Sequence, residues 1–143
     1  MFNNCSLNNY YHIIIMLPYL FLLIIFSSVT CYTFQQWHSI RNLLKNSELP
    51  DKYKNEIRNK IFVDHYYNFT LKYTWDFKKK NNYMPTVAKA NIYDLNYYSV
   101  KGLHIACKNY NGMAGFYHYV KPIMYYNLLR GVTDLNHIQK LPH

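Results

Sequence analysis

Acidic residues are scarce in this chain: seven Asp and Glu stand against sixteen Lys and Arg in 143 residues, a formal charge of +9. Asp94 and Asp134 are the only acids after Asp76. That leaves no paired carboxylates for hydrolysis or phosphoryl transfer. Three cysteines, Cys5, Cys31 and Cys107, are too scattered for a disulfide framework or a zinc spacing. His104, His118, His137 and His143 contain no pair four apart, the spacing that would place two imidazoles on one turn of a helix. No P-loop and no nucleophile–base arrangement is present. A non-enzymatic protein without metal or cofactor is expected. Alternating strand patterns and internal repeats are also missing, so the fold class expected is all-α.

Charge is absent altogether from Met1 to Cys31. Within that stretch Ile13–Phe26 is apolar apart from Pro18 and Tyr19. The block falls short of the roughly 20 residues of a comfortable membrane span. It fits the apolar region of a signal peptide, followed by Ser27, Ser28, Val29, Thr30 and Cys31, with a cut after Cys31. A signal anchor that stays in the membrane is the alternative for residues 1–31. Residues 32–50 begin basic and acid-free, with Arg41 and Lys45. A secretory signal followed by such a transit-like segment is the form of a two-step address to a plastid bounded by more than two membranes. The domain proper is then 51–143, after the helix-start signal Ser47-Glu48-Leu49-Pro50-Asp51.

What is abundant is positive charge and tyrosine. A density of +9 beyond residue 31 favours a polyanionic partner, nucleic acid before an anionic membrane surface. Ile57, Ile61, Tyr66, Phe69, Tyr73 and Phe77 recur at three- to five-residue spacing and predict a helix over Lys52–Lys80, closed by the loop before Pro85. A second helix is expected from Asp94, acting as its cap, to Tyr110, with Leu95, Ser99, Leu103, Ala106 and Tyr110 on one face. Asn111–Gly115 reads as a turn, and a third helix follows from near His118 to Val132. The expected architecture is a small bundle of three to four helices after a hydrophobic leader helix.

Residues 94–111 read DLNYYSVKGLHIACKNYN. They resemble the core-binding signature of the sigma-70 family of transcription initiation factors, close to DLxQEGxxGLxxAxxxFD. Asp94, Leu95, Gly102, Leu103 and Ala106 match identically, while the family's QEG becomes Tyr97-Tyr98-Ser99. Residues 116–130, FYHYVKPIMYYNLLR, are similar to the family's FSTYAxxxIxxxIxR at Phe116, Tyr119 and Arg130. Pro122 and Ile123 replace the paired tryptophans of housekeeping members. Arg130, Asp134 and Pro142 fall at the family's offsets from that point. The resemblance covers about 50 residues and is weaker over the preceding 40.

The resemblance implies a promoter-melting, region-2-like module that binds a bacterial-type core RNA polymerase and single-stranded non-template DNA of the minus-ten element, in a plastid such as an apicoplast. Tyr119 then stacks on an everted base and Phe116 walls its pocket, with Lys121, Tyr125, Tyr126 and Arg130 adding aromatic surface and phosphate contacts. Asp94, Leu95, Tyr98 and Ser99 then meet the polymerase. Pro122 and Ile123 offer no flat surface for wedging a duplex edge. The alternative is a secreted or membrane-anchored basic helical protein with no DNA role.

Overall fold

The structure, a computed structural model, describes residues 32–140. The leader reading for 1–31, with Cys5 and Cys31, and the tail Leu141-Pro142-His143 lie outside these residues. Within them the protein is all-helical, without strands. Its elements are α1 (Phe34–Lys45), α2 (Asp51–His65), α3 (Asn68–Lys80), the short α4 (Pro85–Lys89), α5 (Ile92–Asn109) and α6 (Phe116–Gln139). Among the described residues no helix is long and apolar enough to cross a membrane.

α1 is a member of the bundle, so the boundary expected at residue 51 moves back to 32. Thr33 starts the helix with a capping box: its hydroxyl accepts from the Gln36 amide at 3.2 Å, and the Gln36 side chain accepts from the Thr33 amide at 2.6 Å. Ile40 and Leu44, one turn apart, are buried. Arg41 Nε and Nη2 donate to the carbonyls of Gly112 and Met113 at 3.0 and 3.1 Å. Reading the segment by its charge hid an apolar period at Trp37, Ile40 and Leu44.

The single helix expected over 52–80 is broken at Tyr66-Tyr67 into α2 and α3. The Thr70 hydroxyl donates to the Tyr66 carbonyl and so satisfies an end group of α2 that would otherwise lack a partner. Pro85 opens α4, where its missing N–H costs nothing and its fixed φ suits the first helical position. Lys78 Nζ closes α4 by donating to the carbonyls of Val87, Ala88 and Ala90 at 2.9, 3.2 and 2.8 Å. The cap of α5 is Asn91, whose side chain accepts from the Tyr93 amide at 2.9 Å. Asp94 sits instead in the first turn, where its charge complements the helix dipole. α6 runs seven residues past Val132 and carries Pro122 inside it.

Among the described residues, α5 and α6 share the most extensive packing. Gly102 permits it, because a Cβ there would lie 2.8 Å from the Met124 Cα. Ile57, Ile61, Leu103, Tyr110, Phe116, Val120 and Met124 form one apolar cluster, and Phe77, Val87, Leu95, Leu128 and Val132 a second. A small polar seam fixes α3 against α5: the Thr74 and Ser99 hydroxyls meet at 2.6 Å, and Thr74 donates to the Thr70 carbonyl at 2.7 Å. The lone described cysteine, Cys107, is buried, and that burial pushes its thiol pKa up to about 12.

His65 is buried among Tyr32, Trp37, Phe69 and Phe116. Its Nδ1 lies 2.7 Å from the Ile61 carbonyl, which makes that nitrogen the protonated one, and Nε2 lies 3.4 Å from the Tyr117 hydroxyl. Burial lowers its pKa. An unfolded histidine titrates near 6.5, so below about that pH the unfolded chain takes up a proton that the folded chain refuses. Stability is therefore full above roughly pH 6.5 and falls as the pH drops from there toward the folded pKa. Urea midpoints measured at pH 7.5 and 5.5 should differ for the wild type. His65→Gln should flatten that interval; an equal drop in the variant would assign the acid sensitivity elsewhere.

Candidate functional site

α6 presents two separate stripes. Tyr117, Lys121 and Tyr125 follow each other at four-residue steps. Tyr119, Tyr126 and Arg130 are seven and four apart. At 3.6 residues per turn the two stripes lie roughly 160° apart around the helix. The six residues read from the sequence as one DNA-binding set thus divide between two flanks, with Phe116 between them.

The first stripe faces α3 across an open groove of about 930 Å³. Phe69, Tyr73, Phe77, Tyr117 and Tyr125 supply aromatic walls, and Lys72, Lys80 and Lys121 place cations on them beside one acid, Asp76. His65 closes one end. The Tyr73 hydroxyl donates to the Lys121 carbonyl at 3.1 Å and ties the two walls together; desolvation raises its pKa. Tyr125 crosses Phe77 edge to face, with centroids 5.8 Å apart. The α3 wall was missed as a binding surface. Phe69, Tyr73 and Phe77 at four-residue steps read as core period, and only Phe77 of the three is fully buried. The signal that points to them is Lys72 and Lys80 interleaved with three aromatic rings, the pairing of charge and aromatic face that nucleic-acid surfaces use.

The second stripe borders α5. Tyr119 is half-buried, its ring 5.4 Å from that of Tyr110, and part of it remains open. Tyr126 is 61 % exposed and Arg130 lies 6.0 Å from its ring centroid. Lys101 sits 5.3 Å from the Tyr97 ring and 5.9 Å from that of Tyr98. Such contacts hold cations at an aromatic face without neutralising them. Pro122 is exposed and Ile123 half-buried at the α5 crossing.

Phe116 is a correction. It is buried at 3 % exposure, and its ring stacks on Trp37 with centroids 4.8 Å apart and 17° between planes. It supports the start of α6 and offers no face to a ligand. The polymerase set is corrected too. Leu95 and Ser99 are fully buried, and Ser99 spends its hydroxyl on Thr74. They lie on the same stripe as Leu103, Ala106 and Tyr110, and burial won because α5 is covered on that side by both α3 and α6. Asp94 is exposed. Tyr98 lies half-buried over Gly131, and burial first, then the neighbouring Asp134, raises its pKa.

Charge is distributed unevenly. After Tyr66 there are ten Lys and Arg and three acids. Among the described residues the one ion pair is Lys60–Asp64, at 2.9 Å. Arg41, Arg58 and Lys78 donate to main-chain carbonyls and serve the fold. Lys72, Lys80, Lys101, Lys121 and Arg130 are exposed and lie on or beside the two stripes, and Lys108 is exposed near the end of α5. Among the described residues no group of three His, Cys, Asp or Glu side chains is gathered to hold a metal. The chain matches no protein-family model, no characterised protein and no solved structure.

Proposed function

We propose that the protein binds single-stranded nucleic acid along α6 and acts as a sigma-like initiation factor, holding open promoter DNA for a bacterial-type RNA polymerase in a plastid. The observation that carries the reading is the groove between α3 and α6, walled by aromatic rings and rimmed by three lysines, none of them in an ion pair, against the single acid Asp76. Unstacked bases find π-faces there and phosphates find cations. Each base stacked on an aromatic is worth about 1–3 kcal/mol, which offsets the few kcal/mol of unstacking. The Tyr119, Tyr126 and Arg130 flank gives a second set of the same chemistry on the other side of the helix. A strand following both would leave the first stripe at Lys121 and cross α6 over Pro122, an exposed residue between the stripes. The spacing match at Asp94, Gly102, Leu103, Ala106, Tyr119 and Arg130 supports the promoter and polymerase assignment. The exposed Asp94 and the partly open Tyr98 are the residues of the polymerase set that remain available to a partner.

The test is fluorescence anisotropy with an AT-rich single strand and its duplex over a salt series. The single strand should bind more tightly, with affinity falling steeply as salt rises. Tyr125→Ala and Tyr119→Ala should each weaken binding by roughly 5- to 150-fold, the equivalent of one lost stack. Lys121→Ala should lower the magnitude of the salt slope by about 0.7, one phosphate contact to a single strand. Equal affinity for strand and duplex, or tyrosine variants that bind like wild type, would leave only nonspecific attraction. Pull-down of the purified bacterial-type polymerase, with Asp94→Lys as the control, tests the partner.

A further inference from the structure

We infer that residues 32–49 are a permanent part of the working protein, a buttress for the start of α6, and that removal of any leader ends at or before the Cys31–Tyr32 bond. This rests on packing alone and is independent of what the groove binds. Tyr32 is 8 % exposed; its hydroxyl donates to Asp64, and its ring lies 4.9 Å from Trp37 and 5.2 Å from His65. Trp37 in turn stacks on Phe116, the first residue of α6. A turn further on, Arg41 donates to two carbonyls of the loop that leads into α6.

Gly112 in that loop has φ +79°, and a Cβ there would lie 2.7 Å from the Arg41 carbonyl. Backbone meets backbone at this point, so α1 is not a segment laid loosely on a finished surface. Leu49, at the far end, is 4 % exposed. A removable address must enter a peptidase cleft in extended form. Cutting after Trp37 or later would strip one face from Phe116 and His65, and cutting after Arg41 or later would also leave the α5–α6 loop without its two donors. The basic, acid-free character of the stretch has a structural origin as well: Arg41 satisfies loop carbonyls, and Lys45 sits in the last turn of α1, where a cation is favoured.

The experiment uses the full-length chain made in its own cells, with the amino terminus of the mature protein mapped by mass spectrometry. The expected terminus is residue 32 or earlier. In parallel, the folded protein is treated briefly with trypsin, whose first possible sites are Arg41 and Lys45 because no Lys or Arg precedes them. Cleavage after Lys45 should be at least about tenfold slower than in the urea-unfolded chain, because it needs α1 to open. The Arg41→Gln variant, which keeps the apolar contacts, should speed it while retaining the helical circular dichroism signal. A mature terminus between 34 and 51 on a protein that still melts cooperatively would overturn the inference. So would cleavage after Lys45 at the same rate in folded and unfolded chains.

Discussion

Gly102→Ala should lower the melting temperature by about 10 °C. The new methyl group meets the Met124 Cα at 2.8 Å and the Ile123 carbonyl at 3.3 Å, both main-chain atoms that no rotamer change can move. Forcing a methylene into such a crossing costs about 1–3 kcal/mol, and the helix propensity that alanine gains over glycine, about 1 kcal/mol, offsets only part of a clash at the upper end or above. A net loss of about 2 kcal/mol in a domain of this size shifts the midpoint by roughly 10 °C. Gly131→Ala provides the contrast, since the same substitution is made in the middle of the other helix. Its methyl group would be driven into the Tyr98 ring at Cγ and Cδ2, so the whole ring must change rotamer, but no main-chain atom of another helix stands as close. Its midpoint should therefore fall by less than that of Gly102→Ala, because a side chain can be displaced and a helix backbone cannot. Thermal melts of the two variants by circular dichroism decide the matter. Equal shifts would mean that the α5–α6 crossing tolerates separation and that Gly102 has no special place in it.

Phe116→Ala should abolish folding at physiological temperature or come close to it. The ring is buried against Trp37, His65, Tyr110 and Tyr117. Truncating a buried phenylalanine costs about 3–5 kcal/mol, out of a total stability of about 5–15 kcal/mol. Such a variant would also lose nucleic-acid binding, which by itself would look like a contact residue. Phe116→Leu separates the two meanings. It keeps most of the apolar volume at a cost below about 1.5 kcal/mol but offers no aromatic face. With Phe116 acting as a support, the leucine variant should bind a single strand as tightly as wild type, while Tyr119→Ala and Tyr125→Ala do not. A folded Phe116→Leu protein with binding weakened as much as theirs would return Phe116 to the ligand surface.

Much of the fold is legible in the residues because helical period is a local property. Ile57, Ile61, Phe69, Tyr73 and Phe77 announce α2 and α3; Leu95, Ser99, Leu103, Ala106 and Tyr110 announce the buried face of α5. That spacing already put Ser99 inside, against the role that the motif resemblance assigned to it, and the structure sides with the spacing. α1 was obscured because its two cations drew attention to charge, although Trp37, Ile40 and Leu44 carry its period. At the break by Tyr66 the Thr70 hydroxyl takes a carbonyl four residues back, a bond that Thr74 also makes inside unbroken α3, so composition does not signal where the helix stops.

The sequence by itself determined the class of the protein: all-helical over the described residues, strongly basic after residue 31, poor in acidic residues, and rich in tyrosine near its cations. Those are sums and periods over neighbouring residues, and no tertiary contact alters them. Only the tertiary structure decided which aromatics are surface and which are support. Phe116 and Tyr117 are adjacent in the chain, yet one is sealed against Trp37 and the other lines the groove, because α1 covers one side of α6 and leaves open the gap facing α3. Burial depends on what arrives from elsewhere in the chain, and for α6 that is a helix some 80 residues earlier.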